Sequence, residues 1–178
     1  MRSRRLGVLG FALVVACGEE LETATLVGWL HVPDCHSSVT SYRLDARYLT
    51  LEYLENQAII RMQTSGVDFG RVDGLHLHLR DFATAQAELG VARPVGLSED
   101  VRAGIGLFET CPGSDVPLHL SGSITLNTLG KSKGDEVEAS SLVLDLIDGR
   151  TGQQVGHLEG AFDFTVRRGS PYRRFAGR

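Results

Sequence analysis

No apolar run in the 178 residues is long enough to cross a bilayer as a helix. The longest at the N-terminus, Leu6 to Ala16, has 11 residues, against the roughly 20 that a helical span needs. No C-x-x-C is present, which removes the usual redox dithiol and the paired-thiolate zinc site. The G-x-S-x-G of a nucleophile elbow is absent, as are the EF-hand calcium loop, the P-loop and a dinucleotide fingerprint behind a strand. No solenoid repeat is visible. Proline is sparse, at 5 residues, while glycine reaches 21. With little helical periodicity, those glycines read as turns between strands. Hydrophobic residues make up 42% and charged residues 22%, so the chain is neither a disordered nor a low-complexity polymer.

The start of the chain has three parts. Arg2-Ser3-Arg4-Arg5 is a positive leader, Leu6 to Ala16 is apolar, and Cys17 follows at once. An apolar segment this short behind positive charge is an export signal rather than a permanent anchor. Val14-Val15-Ala16-Cys17 resembles the lipobox of bacterial lipoproteins: aliphatic, small or aliphatic, small, then Cys. The resemblance covers about twenty residues. It implies a diacylglyceryl group on the Cys17 thiol, cleavage before Cys17 and acylation of the new amino group. Gly18 stands where the inner-membrane members of the family carry Asp, so the resemblance points to the outer membrane, with the domain facing the periplasm or the cell surface. The expected organisation is a signal peptide over 1–16, a lipidated tether over 17–24, a β-domain over 25–168 and a basic tail over 169–178. The seven residues from Gly18 to Ala24 reach roughly 25 Å, which keeps the domain near the bilayer.

With Cys17 assigned to lipid, Cys35 and Cys111 remain as an even pair in an oxidising compartment, and they read as one disulfide. Removing the signal also changes the charge. Without Arg2, Arg4 and Arg5, 15 basic side chains face 22 acidic ones. Residues 167–178 hold five of those arginines and no acid, so the rest of the exported chain is strongly acidic. An acidic body repels phosphates and disfavours nucleic acid as a partner. The expected partners are the lipid bilayer through the acyl anchor and a protein or envelope polymer.

Period-two alternation of apolar and polar residues is the strongest local signal. It is clean over Val101–Cys111, Val116–Leu126 and Leu158–Val166, with further strands over 25–32, 42–54, 57–63, 74–80 and 138–147. Asn56 marks a hairpin, and Asp148-Gly149 with Thr151-Gly152 marks a turn. One short helix is expected, with Asp81 as N-cap, Phe82, Ala85 and Leu89 on its buried face, and Gly90 at its end. Eight or so half-buried strands predict an all-β fold, an antiparallel β-sandwich or alternatively a β-barrel. Trp29, in an alternating run, is expected to pack in the core or at an edge.

The best candidate for chemistry is His76-Leu77-His78. Residues two apart on a strand face the same way, so both imidazoles share a face and could hold zinc or copper, with His119 as a third ligand. Asp68, Asp73, Asp115 and Asp135 lie near turns, where acids bind calcium or simply shape the turn. No catalytic residue is assigned. The leading expectation is a non-catalytic binding or structural lipoprotein of the cell envelope. The alternatives are a metal-handling lipoprotein using His76, His78 and His119, and an envelope hydrolase.

Overall fold

Alternating apolar side chains can be buried only if strands pair and one face of the sheet is covered, and this governs the computed structural model. It describes residues 22–33, 35, 39–65 and 69–166. Cys17, the expected signal, most of the expected tether, Asp68 and the arginine-rich tail lie outside the described residues. The elements are β1 (Thr23–Leu30), β2 (Val39–Ala46), β3 (Tyr48–Leu54), β4 (Gln57–Gln63), β5 (Asp73–Leu79), α1 (Phe82–Ala87), β6 (Ala92–Val95), β7 (Val101–Leu107), β8 (Leu118–Leu129), β9 (Glu136–Asp148) and β10 (Gln154–Thr165). A single 3₁₀ turn, Phe69–Arg71, precedes β5.

All ten strands belong to one sheet, in the order β2-β1-β10-β9-β8-β6-β7-β5-β4-β3. Every pairing is antiparallel except the short β6–β7 contact at Val95 and Val101. The outermost strands, β2 and β3, are joined by Arg47 alone. Two consecutive Cα steps span at most about 7.6 Å, so the two edges must meet at that corner. The Arg47 N–H donates to the Gln63 carbonyl at 2.8 Å and ties the corner to β4. The sheet is therefore nearly closed and barrel-like. The all-β architecture with one short helix is as expected. Of its two forms the barrel describes the pairing better, because no second, separately bonded sheet exists among the described residues.

The interior is solid. Ile60, Met62, Leu75, Leu77, Ile124 and Leu144 are fully buried in one continuous core, as in small barrels filled by side chains. The alternation read for β10 holds residue by residue: Leu158, Phe162, Phe164 and Val166 are buried. Gly122 sits at φ +154, and a Cβ there would lie 1.9 Å from the Val143 carbonyl oxygen, so only glycine lets β8 approach β9 this closely.

Three local expectations change. The run 42–54 is two strands, because the chain turns the barrel corner at Arg47. Leu89 is exposed. The helix ends at Ala87, and the Gly90 N–H, at φ +77, bonds the Leu126 carbonyl, so Leu89 belongs to the outgoing turn. Trp29 is neither in the core nor on an edge strand. Leu26 and Leu30 point inward, Trp29 has the opposite parity and is 38% exposed, and β1 lies between β2 and β10. Strand β6 carries Pro94, whose missing N–H disguises a strand.

The helix forms where expected. The Asp81 carboxylate accepts from the Thr84 N–H at 3.0 Å, satisfying a donor that the first turn leaves open. The β3–β4 hairpin turns through Glu55 and Asn56, both at positive φ. The Asn56 side-chain oxygen accepts from the Ala83 N–H, and its amide donates to Asp81, so the hairpin tip holds the start of α1.

Candidate functional site

The parity of β5 puts Leu75, Leu77 and Leu79 in the core and leaves His76 and His78 on the outer face. The two imidazoles are half-buried on one side, as the spacing requires. The His76 ring lies against Gly104 on β7: a Cβ at Gly104 would come within 2.3 Å of it. Across the strands His76 pairs with Arg61, and His78 with Arg102. His78 Nε2 lies 2.9 Å from the Gln57 side-chain oxygen. Burial first, then the Arg61 charge and His78, holds the His76 pKa below the ordinary imidazole value. His78 is lowered by burial, then by Arg102 and Arg80. Both shifts favour the neutral imidazole, beside the Arg61 and Arg102 guanidinium groups.

The third expected ligand is elsewhere. His119 is on β8, with its ring against Gly149 beside the β9–β10 turn. Among the described residues, no three His, Cys, Asp or Glu side chains converge as a metal site.

A polar cluster that sequence reading missed lies on the outer face of β8–β10. His157 Nδ1 is 2.7 Å from Asp145 Oδ1, and the Gln154 amide donates to the same oxygen at 2.7 Å. Ser121 stands opposite Asp145 on β8, and Trp29 opposite His157 on β1. The row therefore runs Ser121, Asp145, His157, Trp29. A hydrolytic triad needs the imidazole between hydroxyl and carboxylate. Here the carboxylate is central, so the imidazole does not face the hydroxyl. The signal was available: the turn at Asp148–Gly152 fixes the β9–β10 register and so brings Asp145 to His157.

Asp73 is not a turn acid open to calcium. It is 3% exposed, and its carboxylate accepts from the Tyr42 hydroxyl at 3.0 Å, from the Glu109 N–H at 2.8 Å, from the Thr110 N–H at 3.2 Å and from the Thr110 hydroxyl. Tyr42 comes from β2 and Asp73 from β5, so this network bonds the two sides of the closing barrel through its interior. Next to it, Cys35 and Cys111 form the expected disulfide, with Cα atoms 4.8 Å apart.

At one end of the barrel the first and last described strands begin and end together. Thr23 pairs with Asp163, and Thr165 with Glu136. Val166 exchanges backbone hydrogen bonds of 2.8 Å with Gly134 and Asp135 in the β8–β9 loop. The Gln86 amide of α1 donates to the Leu129 carbonyl at 3.0 Å. Lys131 Nζ sits 4.9 Å from the centre of the Tyr53 ring, which packs edge-on against Phe82. The entry to β1, the exit from β10, the β8–β9 loop, α1 and the β3–β4 tip therefore form one surface. It exposes Tyr53, Leu54, Leu89 and Val91, and an open cleft runs between α1 and the loop. Among the described residues no helix is long and apolar enough to cross a membrane.

No family model, no curated protein and no solved structure matches this chain.

Proposed function

We propose that this chain is a lipid-anchored, non-catalytic binding or structural module of the bacterial cell envelope, held in the outer membrane through acylated Cys17. The observation that carries this reading is the Cys35–Cys111 disulfide. Disulfides persist in oxidising compartments outside the cytosol, and this one uses the two cysteines that remain once the lipobox claims Cys17. The continuous side-chain core among the described residues supports a module that works through its surface. So does the carboxylate-centred row on β8–β10, which is ordered wrongly for nucleophilic catalysis.

The test compares the full chain with Cys17→Ser in cells fed labelled palmitate. Wild type should take up label and stay with membranes through a high-salt wash, while Cys17→Ser should do neither. Equal labelling of the two proteins would refute the anchor, and turnover of ester or glycan substrates by the purified protein would refute the non-catalytic assignment.

A further inference from the structure

Resting on the binding-module reading and deepening it, we propose that Trp29, His157, Asp145, Gln154 and Ser121 form a platform for a neutral glycan on the outer face of β1, β10, β9 and β8. The Trp29 indole stacks on the C–H face of a pyranose ring, and the polar side chains take its hydroxyls.

Parity leaves the indole outside. Leu26 and Leu30 fill the core, and Trp29 stays 38% exposed on a strand that is hydrogen-bonded on both sides. Val27, on the same face, is 39% exposed, so a polar face carries an apolar strip. Gly28 sets the spacing. A Cβ there would lie 1.7 Å from the His157 carbonyl oxygen, so glycine lets β1 close on β10 beside the indole. Two β-bulges flank the row. Opposite Trp29, β2 carries one more residue than β1 between the pairs Gly28–Tyr42 and Leu30–Val39. On β10 the extra residue is Val155, between Gln154 and Gly156. A bulge bends its strand and re-aims the side chains next to it. Gln154, at the second one, donates to Asp145 at 2.7 Å and to the Gly156 carbonyl at 3.2 Å.

The polar groups are held in place and keep acceptors for a ligand. His157 Nδ1 and the Gln154 amide both bond Asp145 Oδ1. Oδ2 of this carboxylate, 41% exposed, is left for a donor from outside. Gln154 uses its amide hydrogens and retains its side-chain carbonyl oxygen. Ser121, exposed on β8, adds a hydroxyl opposite Asp145. Neighbouring strands stand about 4.8 Å apart, so the row from Trp29 to Ser121 covers about 14 Å. That is the reach of an oligosaccharide rather than of a single ammonium ion. Anions are disfavoured, because Asp145 and the exposed Glu159 share this face. Arg43, across from Val27 on β2, is engaged by Asp45 at 2.7 Å. Hydroxyl donors around an apolar ring face are the chemistry of a neutral pyranose, and an indole beside fixed acceptors complements both.

The experiment uses the purified full chain, in which Trp29 is the sole tryptophan, so indole fluorescence reads this platform alone. Cellotriose, chitotriose and maltotriose are the neutral probes, and choline is the cationic control. At least one triose should shift the emission saturably, and choline should not. Calorimetry should show binding lost in Trp29→Ala and kept in Trp29→Tyr. Asp145→Ala should weaken it roughly tenfold or more, the effect of losing hydrogen bonds to a charged group. Thermal melting should find Trp29→Ala folded like wild type, as an outward ring requires. No saturable shift with any triose, binding that survives Trp29→Ala, or a shift from choline alone would overturn the proposal. Shortening of a triose during the titration would end the non-catalytic reading and leave the platform standing. Absence of palmitate label would remove the anchor without touching the fluorescence result.

Discussion

Replacing Tyr42 by Phe tests whether the barrel is bonded shut through its interior. The substitution keeps the ring, which is 5% exposed, and deletes one hydroxyl. Asp73 Oδ2 then loses the donor at 3.0 Å and keeps the Thr110 hydroxyl, while Oδ1 keeps the Glu109 and Thr110 N–H groups. A hydrogen bond to a charged group contributes about 1.5–3 kcal/mol, so a loss of about 2 kcal/mol is expected. In a domain of this size that corresponds to a fall of about 6 °C in Tm. Thr110→Val removes the other donor to the same oxygen. The double variant leaves Oδ2 bare and should lose more than the two single variants combined. Urea unfolding followed by circular dichroism measures all four proteins. A Tyr42→Phe loss below about 0.5 kcal/mol, the range of an ordinary surface change, would refute the role given to the hydroxyl. Alkaline pH supplies a second readout. Burial first, then the Asp73 charge, raises the Tyr42 pKa far above that of a free phenol. Above about pH 10 the unfolded chain releases a proton that the folded chain keeps, so stability falls with rising pH. Tyr42→Phe should remove that part of the fall.

Breaking the disulfide with Cys35→Ser and Cys111→Ser opens a loop of 76 residues. The chain-entropy model gives a loss of about 4 kcal/mol, to be read as a lower unfolding midpoint that matches wild type measured in reductant. His76 has a depressed pKa, so the unfolded chain binds its proton more readily, and stability should fall as pH drops below about 6.5. His76→Gln should flatten that acid limb, and NMR titration of the ring gives an independent check. A wild-type imidazole titrating at or above the free value would contradict the burial argument.

Parity made much of this legible in advance. Leu120, Ile124 and Leu126, like Leu158, Phe162 and Phe164, declare their buried face by alternation alone, because side chains on a strand point to opposite faces in turn. The same rule put His76 and His78 together on one outer face. It also assigns Trp29 to the face opposite Leu26 and Leu30, although the ring's apolar bulk suggested the core. Alternation is blind to neighbours several strands away. It could not bring Tyr42 to Asp73 or separate His119 from His76, since both depend on how ten strands are ordered around the barrel.

The sequence by itself determined most of the strands, the capped helix at Asp81 and the pairing of Cys35 with Cys111, because each rests on local spacing or on counting. Only the tertiary structure decided that the sheet closes at Arg47, that Asp73 is an interior acceptor rather than a turn acid, and that the start of β1 and the end of β10 share one end of the barrel. Closure, burial of a carboxylate and the pairing of the first strand with the last all depend on contacts between residues far apart in the chain, and no local pattern encodes them.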